Sequence, residues 1–183
     1  MTWTIIVLAV LALVLWGFYV SWRASRLDRL HNRTEATRTA LDLALVRRAS
    51  AASDLASSGQ LDPATSLLLA DAVRRARQAD QTDRDLAESD LTRALRAAFS
   101  QPDFRSSLSG KEGADELLGE VEATAHQVFL ARKFYNDMVA VTRDARRRPL
   151  ARVLRLSGNA QAPEFFEMDD SLIADKTGVS PGL

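Results

Sequence analysis

The chain begins with an uncharged apolar run. Residues 3–22 read WTIIVLAVLALVLWGFYVSW. As an α-helix, about 20 such residues span about 30 Å, the thickness of a bilayer core. Trp3 lies at one end, and Tyr19 and Trp22 lie at the other, where amphipathic rings favour the membrane interface. No basic stretch precedes the run and no A-x-A-like cleavage site follows it. The pattern predicts a retained transmembrane helix over residues 3–22.

After this run, apolar and small residues recur every three or four positions, the spacing of a helix that buries one stripe. The predicted stripe is Leu27, Leu30, Thr34, Thr37, Leu41, Ala44, Arg48, Ala51 and Leu55. The anchor is therefore expected to continue into a long helix with coiled-coil spacing. Its end is predicted at Ser57 to Gly59, and Asp62 with Pro63 predicts the cap and the start of the next helix.

The second segment, from Pro63 to Ser100, has apolar stripes at both ends and a polar middle. The stripes are Leu67, Ala70, Val73 and Ala76, then Leu91, Ala94, Leu95 and Ala98. Residues 78–85 read QADQTDRD, which allows either one long helix or two short helices with a turn near Gln81. The absence of glycine and proline favours the continuous helix on local grounds. The acidic side chains here are expected on a solvated surface; they are Asp80, Asp83, Asp85 and Glu88.

A polar loop after Pro102 leads to a third helix, predicted from about Ala114 to Arg148 and ended by Pro149. Its stripe is Leu117, Val121, Ala125, Val128, Ala131, Tyr135, Val139 and Thr142. The predicted fold class is all-α: a transmembrane helix that continues into an elongated antiparallel bundle of four helices, or of three long ones. The bundle is expected over residues 23–158, and an acidic, largely irregular tail over 159–183.

The charge balance and the motifs of the chain exclude several classes of function. The chain carries 24 basic and 24 acidic side chains, all after Trp22, so no nucleic-acid partner is expected. There is no cysteine, and hence no disulfide framework or thiolate metal site. No Gly-rich phosphate loop, nucleophile elbow or H-E-x-x-H motif occurs. No catalytic, metal or cofactor-binding residue is predicted, and an enzyme is not expected. His31 and His126 are expected on the surface.

Basic residues cluster near the C-terminal end of the third helix. They are Arg143, Arg146, Arg147, Arg148, Arg152 and Arg155. In one interpretation they complement the helix dipole and are neutralised by the acidic tail. In another they contact anionic lipid head groups or an acidic partner. Two half-length middle helices would bring the cluster back to the bilayer, whereas three full-length helices would not.

Several segments carry a family resemblance. Residues 98–104 read AFSQPDF, 129–141 FLARKFYNDMVAV, 146–158 RRRPLARVLRLSG and 164–167 EFFE. They resemble the C-terminal half of the LemA family of membrane proteins, where a similar helix carries an A-R-x-x-Y-N core followed by a proline and a double aromatic. The matching residues here are Ala131, Arg132, Tyr135 and Asn136, with Phe165 and Phe166. Residues 36–56 resemble the family's first helix more weakly, and its Ile-Pro-Asn turn is absent.

The resemblance implies an N-terminal anchor, four antiparallel helices with a turn near Gln81, and no known catalytic residues. We expect Tyr135 and Asn136 to be structural, with the Tyr135 hydroxyl on a buried partner. The predicted function is a membrane-anchored helical scaffold or interaction protein of LemA type; the alternative is a lipid-surface-organising protein acting through the arginine cluster. The expected partners are the lipid bilayer and an unidentified protein, such as a membrane protease or an envelope protein. Arginines directly after the span predict a cell-membrane location with the bundle in the cytoplasm; they are Arg23, Arg26, Arg29 and Arg33.

Overall fold

The computed structural model describes residues 2–102, 104–147 and 162–170; at positions 20, 23, 24 and 26–28 it describes the backbone only. All regular structure within these ranges is helical, which confirms the all-α prediction. The helices are α1 (Thr2–Ser57), α2 (Pro63–Gln78), α3 (Arg84–Phe99), α4 (Phe104–Leu108) and α5 (Ala114–Arg147). The chain divides into two compact units. The anchor unit holds residues up to 38 and 135–165, and the bundle unit holds residues 39–134 and those from 166 onward.

The end of α1 and the start of α2 follow the local chemistry that the sequence predicted. Gly59 has a φ of 70°, a left-handed conformation that glycine adopts without steric cost. The carboxylate of Asp62 then accepts hydrogen bonds from the amides of Ala64 and Thr65, both at 3.0 Å. Pro63 occupies the first helical turn, where its missing N–H leaves no helical bond unmade. Both predicted boundaries are confirmed.

The middle segment is broken, so the local preference for one continuous helix was wrong. Helix α2 ends at Gln78 and α3 begins at Arg84. The Asp80 carboxylate accepts hydrogen bonds from the amides of Thr82 at 3.0 Å and Asp83 at 3.1 Å. An aspartate that binds the amides ahead of it offers the backbone an alternative to the helical ladder. The turn therefore forms without glycine or proline.

The bundle unit packs five helical segments, one from each of α1 to α5, around one core. The Gln60 side-chain amide donates to the Glu112 carbonyl at 2.9 Å, which places the end of α1 beside the start of α5. Helices α2 and α3 lie antiparallel, because Thr65 binds Gln101 at one end and Arg75 pairs with Asp90 nearer the other. The largest fully buried apolar side chains of this unit are leucines and valines; they are Leu41, Leu45, Leu55, Leu69, Leu91, Leu95, Leu108, Val121 and Val128.

Two details of the core differ from the sequence prediction. Leu67 is 73% exposed and Ala70 is also exposed, whereas Leu69 is fully buried. Three consecutive leucines, 67–69, point in three directions on a helix, so the pattern did not reveal which one faces the core. The predicted loop after Pro102 contains α4, whose Phe104 packs on Phe99 with ring centroids 5.1 Å apart. Such a one-turn helix is too short to produce a period.

The anchor unit contains the apolar part of α1. Residues Thr2–Tyr19 form an 18-residue window with a mean hydropathy of 2.1, and none of it is buried. This length and composition are sufficient to cross a membrane, and a signal sequence shares them. Farther along α1, the Thr34 hydroxyl lies 2.9 Å from the Thr142 hydroxyl of α5, and both residues are buried. The last turn of α5 therefore lies in the same unit as the apolar helix.

Candidate functional site

The residues of the A-R-x-x-Y-N sequence hold the C-terminal segment of the chain against α5. In the anchor unit, Tyr135 is 5% exposed and its hydroxyl donates to the Glu164 carbonyl at 2.8 Å. The expected hydrogen bond of the Tyr135 hydroxyl is present, and the structural role of this tyrosine stays a prediction. In the bundle unit, Arg132 forms an ion pair with Asp170. Ala131 and Asn136 are half-buried beside them.

The first residue of the predicted arginine cluster binds the chain itself. Arg143 donates from Nε to the Pro163 carbonyl at 2.7 Å. Its guanidinium also lies 4.9 Å from the centre of the Phe165 ring, a cation–π contact. Arg146 is half-buried and Arg147 is exposed. The remaining three predicted members lie outside the described residues; they are Arg148, Arg152 and Arg155.

Residues 166–170, which we call the acidic segment, lie against α3 and α5 in the bundle unit. The segment has no regular secondary structure. The Glu167 amide donates to the Asp85 carboxylate at 2.9 Å, and the Asp169 amide donates to the Ser89 hydroxyl at 3.0 Å. Between these two residues the Met168 side chain is 7% exposed. Amides at alternate positions that bind the same helix, with an apolar side chain between them, are typical of an extended peptide.

The two aspartates of the acidic segment bind arginines that the sequence did not single out as a site. Asp169 pairs with Arg96 of α3, and Asp170 pairs with Arg132 of α5. The interpretation in which the acidic tail neutralises the arginine cluster stays a prediction, because Arg148, Arg152 and Arg155 lie outside the described residues. The partners of the two aspartates lie 73 and 38 residues away in sequence, so no helical period connects them. Only the packing of the segment against the bundle brings the charges together.

A buried ion pair crosses the centre of the bundle unit. Arg48 of α1 donates to the Glu88 carboxylate at 2.6 Å, to the Glu88 carbonyl at 3.2 Å and to the Thr92 hydroxyl at 2.9 Å. Both charged side chains are 3% exposed. The expected solvated position of Glu88 was therefore wrong. Asp80 and Asp83 are exposed as predicted, and Asp85 is half-buried.

Burial works against the charged form of both partners. It lowers the pKa of Arg48 below its ordinary value, against the opposing attraction of Glu88. It raises the pKa of Glu88 above its ordinary value of 4.5, against the opposing charge and hydrogen bond of Arg48. Within the described residues, the Arg48 Nε is buried without a hydrogen-bond partner. Because the pair is closed off from solvent, it is suited to specifying helix packing rather than to binding a ligand.

An open groove of about 600 Å³ runs between α1 and α2 in the bundle unit. Its lining includes several small side chains, among them Ser53, Ala56 and Ala70. Leu67, which is 73% exposed, also lines it. Arg77, which also lines the groove, donates to the Ser50 hydroxyl at 3.3 Å. The groove is an apolar surface without a carboxylate, histidine or cysteine among its lining residues.

The described part of the chain contains no cluster of three or more His, Asp or Glu side chains placed to hold a metal ion. His31 and His126 are both exposed, as predicted, and the His126 ring stacks near Phe129 with centroids 6.3 Å apart. Comparisons of the chain with protein-family models, with curated proteins and with solved structures give no match. The resemblance to the LemA family therefore stays a prediction.

Proposed function

We propose that this chain is a single-pass membrane protein whose helical bundle binds other proteins without catalysing a reaction. The observation that carries the proposal is the continuity of α1. Its first 18 residues after Met1 are apolar and unburied, and the same helix supplies Leu41, Leu45 and Leu55 to the bundle core. A helix that is apolar on all faces and has no protein around it is energetically suited to lipid.

Retention of the apolar helix distinguishes an anchor from a signal sequence. The intact mass of the protein purified from membranes should include residues 3–22, and the protein should stay in the membrane pellet after alkaline carbonate extraction. A mature chain that lacks these residues and appears in the soluble fraction would contradict the anchor.

The proposed orientation places the bundle in the cytoplasm, because arginines follow the apolar run directly. The chain has no cysteine, so single cysteines report topology without background. Ser109→Cys lies on an exposed turn of the bundle unit, and Thr2→Cys lies at the opposite end of the apolar helix. In intact cells, a membrane-impermeant maleimide should label Thr2→Cys and should label Ser109→Cys only after lysis. The reverse pattern would place the bundle outside.

The proposal of an interaction protein rests on exposed apolar side chains outside the apolar helix. Those at least 50% exposed are Leu43, Val46, Leu67, Leu68, Leu86, Phe134 and Val141. A membrane protease or an envelope protein of the kind implied by the LemA resemblance is the proposed partner class. Photo-crosslinking from position 67, with exposed Lys111 as the matched control position, should capture a membrane protein from position 67 alone. A thermal shift induced by a nucleotide or a divalent metal would instead favour an enzyme.

A second candidate function is contact with anionic lipid through the arginine cluster. The Thr34–Thr142 hydrogen bond favours it, because α5 extends only five residues beyond Thr142. Because α5 runs antiparallel to α1 here, its last residue lies at the level of Arg29, five residues before Thr34. Arg29 lies about 15 Å beyond Tyr19, at about 1.5 Å per residue. Arginines at this level can reach lipid phosphates, each contributing about 1 kcal/mol near the surface.

Vesicle binding tests the lipid candidate. Replacing Arg146, Arg147 and Arg148 by alanine should weaken binding of the domain without its anchor to anionic vesicles. Replacing Arg74, Arg93 and Lys111, which are exposed on the bundle unit, removes the same number of charges and should have a smaller effect. Equal binding by both triple variants would eliminate this candidate.

A further inference from the structure

The acidic segment is bound in the manner of a peptide ligand. Its backbone contacts α3 through two amides at alternate positions, and among residues 166–170 only the Met168 side chain is buried. The residues that bind it recur on one face of α3, at Asp85, Ser89 and Arg96, and continue to Arg132 of α5. We call these four residues the segment-binding face.

The arginines of the segment-binding face offer more hydrogen-bond donors than the acidic segment uses. Arg96 and Arg132 each pair with one aspartate, yet the Nε of each is buried without a hydrogen-bond partner in the described structure. A guanidinium binds a carboxylate best with two parallel N–H donors. The chain's own segment is therefore a ligand that leaves two donors unsatisfied, and a carboxylate that reaches both Nε and Nη would bind each arginine more completely.

The contacts of the acidic segment are individually weak. Both ion pairs are partly exposed, with side-chain exposures of 22–39%, and such pairs contribute little in water. A segment on the same chain needs only weak contacts, because its tether gives it an effective concentration near the millimolar range. A separate ligand with better carboxylate geometry can compete with it.

We propose that the segment-binding face is a peptide site, which recognises an extended segment with an apolar residue followed by two acidic residues. The proposed ligand is a second protein that presents such a segment, and the chain's own acidic segment occupies the site until that protein displaces it. Charge complementarity with Arg96 and Arg132 sets the acidic requirement, and the Met168 position sets the apolar one. The inference rests on the proposed function as an interaction protein and adds a second binding surface to the exposed apolar one that includes Leu67.

A fluorescent peptide that copies residues 163–170, PEFFEMDD, tests the site in the full chain held in nanodiscs. Asp169→Asn with Asp170→Asn weakens the chain's own segment and should open the site. Fluorescence anisotropy should show saturable binding to this variant. Wild type should bind at least about tenfold more weakly, because its site is occupied. Adding Arg132→Glu should abolish binding, while Arg93→Glu, an exposed charge change on α3, should not.

The control peptide PEFFEMNN separates specific recognition from adhesion. If it binds as well as PEFFEMDD, or if neither binds the Asn variant, the proposal is wrong. A wild-type dimer that dissociates when PEFFEMDD is added would overturn a separate protein partner in favour of a second copy. The peptide assay measures binding at the bundle unit, whereas the mass and extraction tests measure retention of the apolar helix, so failure of one is distinguishable from failure of the other.

Hydrogen exchange provides a second measurement on the unmodified chain. If the acidic segment leaves its site without unfolding of the bundle, the Glu167 and Asp169 amides should exchange at least about tenfold faster than the Leu91 amide in the core of α3. Equal protection of these amides would mean that the segment opens only with the whole bundle. That result would overturn the proposal even if the Asn variant failed to fold.

Discussion

Replacing one partner of the buried Arg48–Glu88 pair separates two effects that the wild-type chain combines. Glu88→Gln keeps the size of the side chain and an acceptor oxygen but removes the counter-charge of a guanidinium that is 3% exposed. Arg48→Met removes the cation and leaves the carboxyl. The double variant Arg48→Met with Glu88→Leu makes the site apolar. Thr92 retains a partner in each case, because its hydroxyl also binds the carbonyl of residue 88 at 3.1 Å.

The expected magnitudes follow from the burial of the pair. Removing one partner of a buried ion pair costs about 3–5 kcal/mol, whereas replacing both by apolar side chains is neutral or stabilising by about 1–4 kcal/mol. The unpaired Nε of Arg48 favours a stabilising effect of the double replacement, since a buried donor without an acceptor costs about 1–3 kcal/mol. We expect Glu88→Gln to lose about 3–5 kcal/mol. The double variant should be at least as stable as wild type.

The two single variants should differ in their dependence on pH. The pKa of Glu88 is already raised by burial, and Arg48→Met removes the charge that opposes this rise. A carboxyl with a raised native pKa stabilises the fold below its unfolded pKa, near 4.5, and loses that contribution as pH rises through the native pKa. The loss of unfolding free energy in Arg48→Met, relative to wild type, should therefore become smaller as pH falls toward 4.5. The loss of unfolding free energy in Glu88→Gln should not become smaller, because the arginine stays protonated over this pH range.

Thermal unfolding of the full chain in detergent, followed by far-UV circular dichroism, measures these effects. A loss of 3–5 kcal/mol corresponds to a fall in Tm of about 6–20 °C for a chain of this size. Arg93→Met, which breaks a partly exposed ion pair with Asp90 on α3, is the matched control and should cost at most about 1 kcal/mol. A Glu88→Gln variant with the Tm of wild type, or a double variant as unstable as Glu88→Gln, would refute the reasoning.

Three further predictions concern stability. Tyr135→Phe removes the hydrogen bond of a hydroxyl on a buried ring and should cost about 1 kcal/mol; an unchanged Tm would contradict that role. Gly59→Ala, at a φ of 70°, should lower Tm by the equivalent of about 1 kcal/mol, whereas Gly119→Ala inside α5, where an added Cβ meets no atom within 4 Å, should raise it. Hydrogen bonds from Thr65 lower the pKa of Asp62, so its stabilising effect is present above pH 3.8 and is lost as pH falls through the lower native pKa. The Tm difference between wild type and Asp62→Ala should therefore shrink in that acidic range.

The candidate site was predictable only in part. The sequence predicted that Tyr135 would bury its ring and find a partner for its hydroxyl, because it lies on the apolar stripe of α5. It did not predict that the partner would be a carbonyl 29 residues away. It also gave no indication of the segment-binding face. Ser89 and Arg96 are polar residues at a helical spacing, and a solvent-exposed helix surface has the same pattern.

The sequence determined a helix wherever the spacing of its apolar residues and the capping residues at its ends indicate the same boundaries. The three- and four-residue spacing placed Arg48 on the buried stripe of α1, and the Gly59, Asp62 and Pro63 sequence set the following turn. Tertiary structure alone decided that Glu88 would be buried and that Asp169 would bind Arg96. The physical reason is that the free energy of a charged side chain depends on the group that faces it. That group lies on a different segment of the chain, and the spacing of apolar residues does not indicate which segment it is.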